Sequence, residues 1–193
     1  MKRNFAYLLC LCSLFPFFSC ANKENNENKL EDVTSDVSND SPEKFIYQIF
    51  YSPTMLENKG PEYGSYDEKM KEKFDELGIN KEYNGSPYSK TFNSYLEKVD
   101  DLEKKTGDIL GFDWDILWET QDSPSNFGLE VTNVETFPAA VVETKWNNGN
   151  SKKFFLIKEN GDWKILDMVN YSSFSGWETD YLMEAKQIIK ENK

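Results

Sequence analysis

The feature that most limits how this chain can fold is a change in hydrophobic period near residue 127. Before it, apolar residues recur every three to four positions, as on one face of a helix; after it they alternate, as on a half-buried strand. Phe45, Ile46, Ile49 and Phe50 form one such stripe, with Tyr47 and Tyr51 beside it. Asp40 as cap, Pro42 in the first turn and Glu43 three residues after the cap predict the helix start, and Ser52-Pro53 predicts its end. A second helix is predicted from a Ser65 and Glu68 capping box, with Met70, Phe74 and Leu77 inward and a stop at Gly78. A third starts near Ser89, carries Phe92, Tyr95, Leu96, Val99 and Leu102 at helical spacing, and stops at Gly107.

The alternating half reads as strands over Phe127 to Phe137, Ala140 to Trp146, Lys153 to Lys158 and Trp163 to Val169. Asn148-Gly149 and Asn160-Gly161 are the dipeptides that tight hairpins need, so the strands are expected to follow one another antiparallel. Ser175 with Glu178 is a third capping pair, ahead of a closing amphipathic helix with Trp177, Tyr181, Leu182, Ala185, Ile188 and Ile189. Helices first and a meander afterwards predict an α+β domain over residues 41–193: three N-terminal helices packed on a curved antiparallel sheet of about four strands, with a C-terminal helix.

The first 40 residues follow different rules. Lys2 and Arg3 precede an apolar run from Phe5 to Phe18 and a small Ser19, the order of a secretory signal over residues 1–19. A helix through that run covers only about 21 Å of a hydrocarbon core roughly 30 Å thick, and Pro16 interrupts it. Phe17-Phe18-Ser19-Cys20 resembles a lipobox, which implies cleavage before a Cys20 whose sulfur carries lipid. Residues 20–40 then read as the lipidated cysteine and a polar tether, almost without apolar side chains. Ala21 after the cysteine favours the outer membrane over the inner.

Composition excludes several chemistries. Cys10 and Cys12 leave with the signal and Cys20 is blocked by lipid, so no disulfide or thiol catalysis is expected in the domain. There is no histidine, and Arg3 is the only arginine, which removes the commonest metal ligand, the commonest general base and the bidentate phosphate fork. The formal charge is −12 and becomes more negative once Lys2 and Arg3 are removed, so nucleic acid is an unsuitable partner. No cofactor and no metal is expected.

Two groups of residues remain as candidates. Asp108, Asp113, Asp115, Glu119 and Asp122 lie among Phe112, Trp114, Trp118 and Gln121, and carboxyls beside tryptophan suit acid and base work on sugars when burial separates their pKa values. A calcium loop is disfavoured, because Leu117 stands where a third oxygen ligand belongs. Tyr47, Tyr51, Tyr88, Tyr95 and Trp114, with Gln48, Gln121 and Asp122, are candidates to line a ligand pocket between helices and sheet; the plainer reading of those aromatics is core.

The aromatic segment Phe45 to Tyr51, the run Phe112-Asp113-Trp114-Asp115 with Gln121-Asp122-Ser123, and Glu159-Asn160-Gly161-Asp162-Trp163-Lys164-Ile165 resemble the YbjP-like bacterial lipoproteins of unknown function. The last segment also resembles the terminal hairpin of NTF2-like and cystatin-like domains. The resemblance implies a fold and an exported location, and no activity. The function expected from the residues is a non-catalytic module at the cell envelope, held at the membrane by lipid on Cys20 and binding an envelope protein or a small apolar or glycan ligand. The competing expectation is a carboxylate hydrolase of envelope carbohydrate acting through Asp113, Asp115 or Glu119.

Overall fold

The computed structural model describes residues 41–57, 64–112, 115–118, 126–136, 139–173, 176 and 178–192. The chain divides into two units, Met1–Thr34 and Ser35–Lys193, and every described residue belongs to the second. Residues 1–40, which hold the expected signal, Cys20 and the expected tether, lie outside the described residues.

The domain is α+β. Helices α1 (Pro42–Ile49), α2 (Pro53–Leu56), α3 (Glu68–Glu76) and α4 (Lys90–Thr106) precede strands β1 (Leu129–Glu135), β2 (Ala140–Trp146), β3 (Ser151–Glu159), β4 (Asp162–Tyr171) and β5 (Glu178–Asp180), and α5 (Tyr181–Glu191) closes it. The strands form one antiparallel sheet in sequence order. The sheet has five strands where about four were expected, because Glu178 pairs with Tyr171 in β5 instead of opening the last helix.

Each helix start differs slightly from its predicted cap, except at α4. The N-cap of α1 is Ser41, whose hydroxyl accepts from the Lys44 N–H at 3.0 Å with Pro42 in the first turn; Asp40, the expected cap, lies outside the described residues. Asp67, not Ser65, caps α3, with Oδ1 2.8 Å from the Met70 nitrogen; Ser65 is spent instead in a backbone bridge to Phe127. Asp180 caps α5 through Met183, and Glu178 lies in β5; Ser175, its expected capping partner, lies outside the described residues. In all three the side chain that reaches the first free N–H groups takes the position. Ser89 and Gly107 bound α4 as predicted, the glycine with φ +78°. Pro53 does not simply end α1; it starts the one-turn α2, which suits its fixed φ.

The inner face of the sheet follows from alternation. Ala140, Val142, Thr144 and Trp146 of β2 and Lys152, Phe154 and Leu156 of β3 are all buried. On β4 the alternation breaks. Ile165 and Met168, three apart, are both fully buried, because the pairing of β3 with β4 slips between Phe155 and Leu156. Trp163, expected to share a face with Ile165 and Asp167, is half-buried against the rim of the core with the Lys158 ammonium 4.9 Å from its ring centre. Asn160 (φ +56°) and Gly161 (φ +95°) make the left-handed pair of a two-residue hairpin there.

Candidate functional site

Two places combine buried polar groups with aromatic rings. The first is the turn at residues 115–118. Asp115 Oδ1 accepts from the N–H groups of Leu117 (2.8 Å) and Trp118 (3.2 Å), so this exposed carboxylate closes its own turn. Ile116 and Leu117 are buried, and the Trp118 ring packs 4.6 Å from Phe127 and 5.1 Å from Phe50. Beneath the turn stands Lys152, only 2 % exposed. Its Nζ donates to the carbonyls of Ile116 (2.8 Å) and Leu117 (3.1 Å) and lies 5.1, 5.6 and 5.8 Å from the ring centres of Trp146, Tyr181 and Phe154. A cation in that surrounding is stabilised by main-chain dipoles and ring faces together. Lys152 is thus the post to which the turn is fastened.

The sequence reading missed Lys152, because it began the third strand at Lys153. Carrying the alternation back two residues from Phe154 places residue 152 on the inner face, which was the available signal. Of the acids in the candidate loop, Asp108 and Asp115 are exposed; Asp113, Glu119 and Asp122 lie outside the described residues, as do Trp114 and Gln121.

The candidate tyrosines separate into different surroundings. Tyr47 and Tyr51 meet edge-on around Phe74, at 6.4 and 5.1 Å between ring centres. Tyr88 packs on Phe92 at 5.3 Å, and burial raises its hydroxyl pKa. Tyr95 is held elsewhere, on α4, with Lys98 Nζ at 5.1 Å and Lys186 Nζ of α5 at 5.4 Å from its ring centre. Gln48 Nε2 donates to the Lys81 carbonyl at 2.5 Å. These residues do not converge on one interior pocket: Tyr47 and Tyr51 act largely as core, and Tyr95 as part of a helix seam.

The second place is a cleft of about 480 Å³ between α1, α3 and the outer edge of β1. Tyr47 and Trp146 reach it from the core; Glu43, Asp67, Lys73 and Glu130 bring charge of both signs. Lys73 Nζ bridges Glu43 (3.2 Å) and Glu76 (3.1 Å). Asp67 Oδ2 accepts from Asn147 Nδ2 at 3.2 Å directly over Gly128, where a Cβ would collide with both side chains. The Tyr47 hydroxyl oxygen accepts from the Val131 N–H at 3.2 Å. Among the described residues its own proton goes to no acceptor, and the buried Trp146 Nε1 has no partner either. Burial keeps Tyr47 protonated well beyond neutral pH, because desolvation raises its pKa.

Among the described residues no three Cys, Asp or Glu side chains gather as a metal site, and no helix is long and apolar enough to cross a membrane. No family model, curated protein or solved structure matches the chain.

Proposed function

We propose that this chain is an exported lipoprotein, anchored through Cys20 and more readily at the outer than the inner membrane, whose domain is a non-catalytic binding module. Its binding site is the cleft between α1, α3 and β1. The observation that carries this reading is that the Tyr47 hydroxyl, on a buried side chain that borders the cleft, accepts from Val131 and donates to no acceptor among the described residues. Buried donors are nearly always paired in folded proteins, so an acceptor supplied from outside completes the site. The use of the Asp115 carboxylate to close its own turn supports a structural role for that acid.

The finer architecture belongs to the same proposal: helices packed on one face of a curved sheet, as in NTF2-like and cystatin-like domains, in a chain of the YbjP-like lipoprotein kind. The meander and the two-residue Asn160-Gly161 hairpin support it.

Two measurements on the full-length protein test the proposal. Cells fed labelled palmitate should label the wild type and not Cys20→Ser; equal labelling of both would overturn the anchor. Envelope carbohydrate incubated with the purified protein should show no new reducing ends. Release of reducing ends that disappears in Asp115→Asn would overturn the non-catalytic reading and favour a hydrolase.

A further inference from the structure

The edge of β1 explains what kind of ligand the cleft admits. An open strand edge invites another strand, yet of the outward-facing Phe127, Leu129 and Val131 this edge is closed at the first and the last. The Phe127 carbonyl accepts from the Asp67 N–H at 3.0 Å and its N–H donates to the Ser65 carbonyl at 2.6 Å. Four residues on, the Val131 N–H is taken by the Tyr47 hydroxyl. Only Leu129 lies between them on that side, and after Val131 the register shifts, so the edge turns away from regular pairing. An added strand needs several consecutive main-chain groups, and the cleft offers one residue's worth.

The charges point the same way. Acidic Glu43, Asp67 and Glu130 and basic Lys69, Lys73 and Lys145 all border a cavity of about 480 Å³, a size that holds a small molecule. A ligand with a single charge would meet repulsion from half of these groups. One carrying an ammonium and a carboxylate can satisfy both halves, with a carboxylate oxygen accepting from the Tyr47 hydroxyl.

Building on the cleft as binding site, we propose that it takes a small zwitterion, an amino acid or dipeptide with both ends free, and not an extended peptide strand. The carboxylate end lies toward Lys73, Lys69 and the Tyr47 hydroxyl, and the ammonium end toward the carboxylates of Glu43 and Glu130.

The test is a titration of the isotope-labelled full chain by amide NMR with four probes: free alanyl-alanine, its N-acetyl form, its C-amide form and the doubly capped form. The free dipeptide should shift the amides of Tyr47, Lys73, Val131 and Asn147, and each single cap should weaken binding about tenfold or more. Tyr47→Phe should weaken the free dipeptide by a similar factor. Because Val131 then loses its partner, the exposed charge reversal Lys69→Glu serves as a second variant: it should weaken the free and N-acetyl forms and leave the C-amide form unchanged. Equal shifts from free and doubly capped dipeptide would overturn the zwitterion assignment while keeping the cleft as a binding site. No shift at these amides from any probe up to about 10 mM would overturn this assignment, and the module reading falls separately on the release of reducing ends.

Discussion

The cluster around Phe50 and the seam where α5 docks are both built from aromatic rings near lysines, but one is sealed and the other is wet. Phe50 is fully buried and meets Trp118, Phe127, Trp146 and Phe154 at 5.1 to 6.3 Å between ring centres, rings supplied by four separate segments. At the seam, Tyr95 is half-buried between Lys98 and Lys186, Met183 is 66 % exposed, and the start of α5 is fixed by two carboxylates, Asp180 and Asp167. The same residue types therefore contribute in different ways. In the cluster, a lysine is dehydrated and must be satisfied by carbonyls; at the seam, lysines lie across an aromatic face and keep their charge in water. The proposed cleft borders the sealed region through Trp146 and Tyr47, which gives it a rigid floor.

The strongest way to break this comparison is to remove its centre. Phe50→Ala deletes a ring that four others touch, and such a cavity should cost about 3 to 5 kcal/mol in chemical unfolding. A loss below about 1 kcal/mol would show that the cluster collapses around the gap and is no more sealed than the seam.

The next effect is at Lys152. Lys152→Met keeps most of the chain volume and removes the ammonium, leaving the Ile116 and Leu117 carbonyls without that donor. Loss of those bonds should cost about 1 to 3 kcal/mol, set against the relief of a buried charge. The more specific signature is local: amide exchange at Leu117 and Trp118 should accelerate while that of β2 and β3 stays protected. Uniform acceleration would mean that Lys152 supports the whole sheet and not the turn.

Much of the fold was legible in the sequence, and where it was not, the reason is local. The change of period gave the α+β order and the antiparallel meander, because alternation and helical spacing are one-dimensional signals. Caps were misplaced at Ser41 and Asp67 because several neighbouring Ser and Asp residues can each cap, and tertiary contacts choose among them: Ser65 was drawn into pairing with Phe127. The face of Trp163 was ambiguous because a bulge inverts the alternation, and nothing in Trp163 to Val169 marks where the extra residue sits. The candidate tyrosines were read as one set, whereas the fold distributes them to three surroundings. The cleft was not legible, because Asp67, Gly128 and Asn147 are distant in sequence and become neighbours only through β1 and β2.

The smallest effect sharpens the seam side of the comparison. Asp167 is half-buried, and its Oδ1 accepts from Met168 N–H (2.7 Å) and, in the first turn of α5, from Leu182 N–H (3.1 Å). Burial raises its carboxyl pKa above the ordinary 3.8, Asp180 adds to the rise, and the two N–H groups and Lys186 oppose it. A carboxyl whose folded pKa exceeds its unfolded one favours folding when protonated. Its contribution is therefore complete below the unfolded value and is lost as pH climbs through the folded one. Asp167→Asn keeps an oxygen for both N–H groups and never carries the charge. Unfolding midpoints in urea should then show a variant equal to wild type near about pH 4 and modestly more stable near about pH 7. Glu184, also raised by burial, titrates in both proteins and cancels in the difference. If the variant is instead less stable at neutral pH, the attraction of the Asp167 charge to the positive end of α5 outweighs its desolvation, and the seam depends on a buried charge as the cluster does on Lys152.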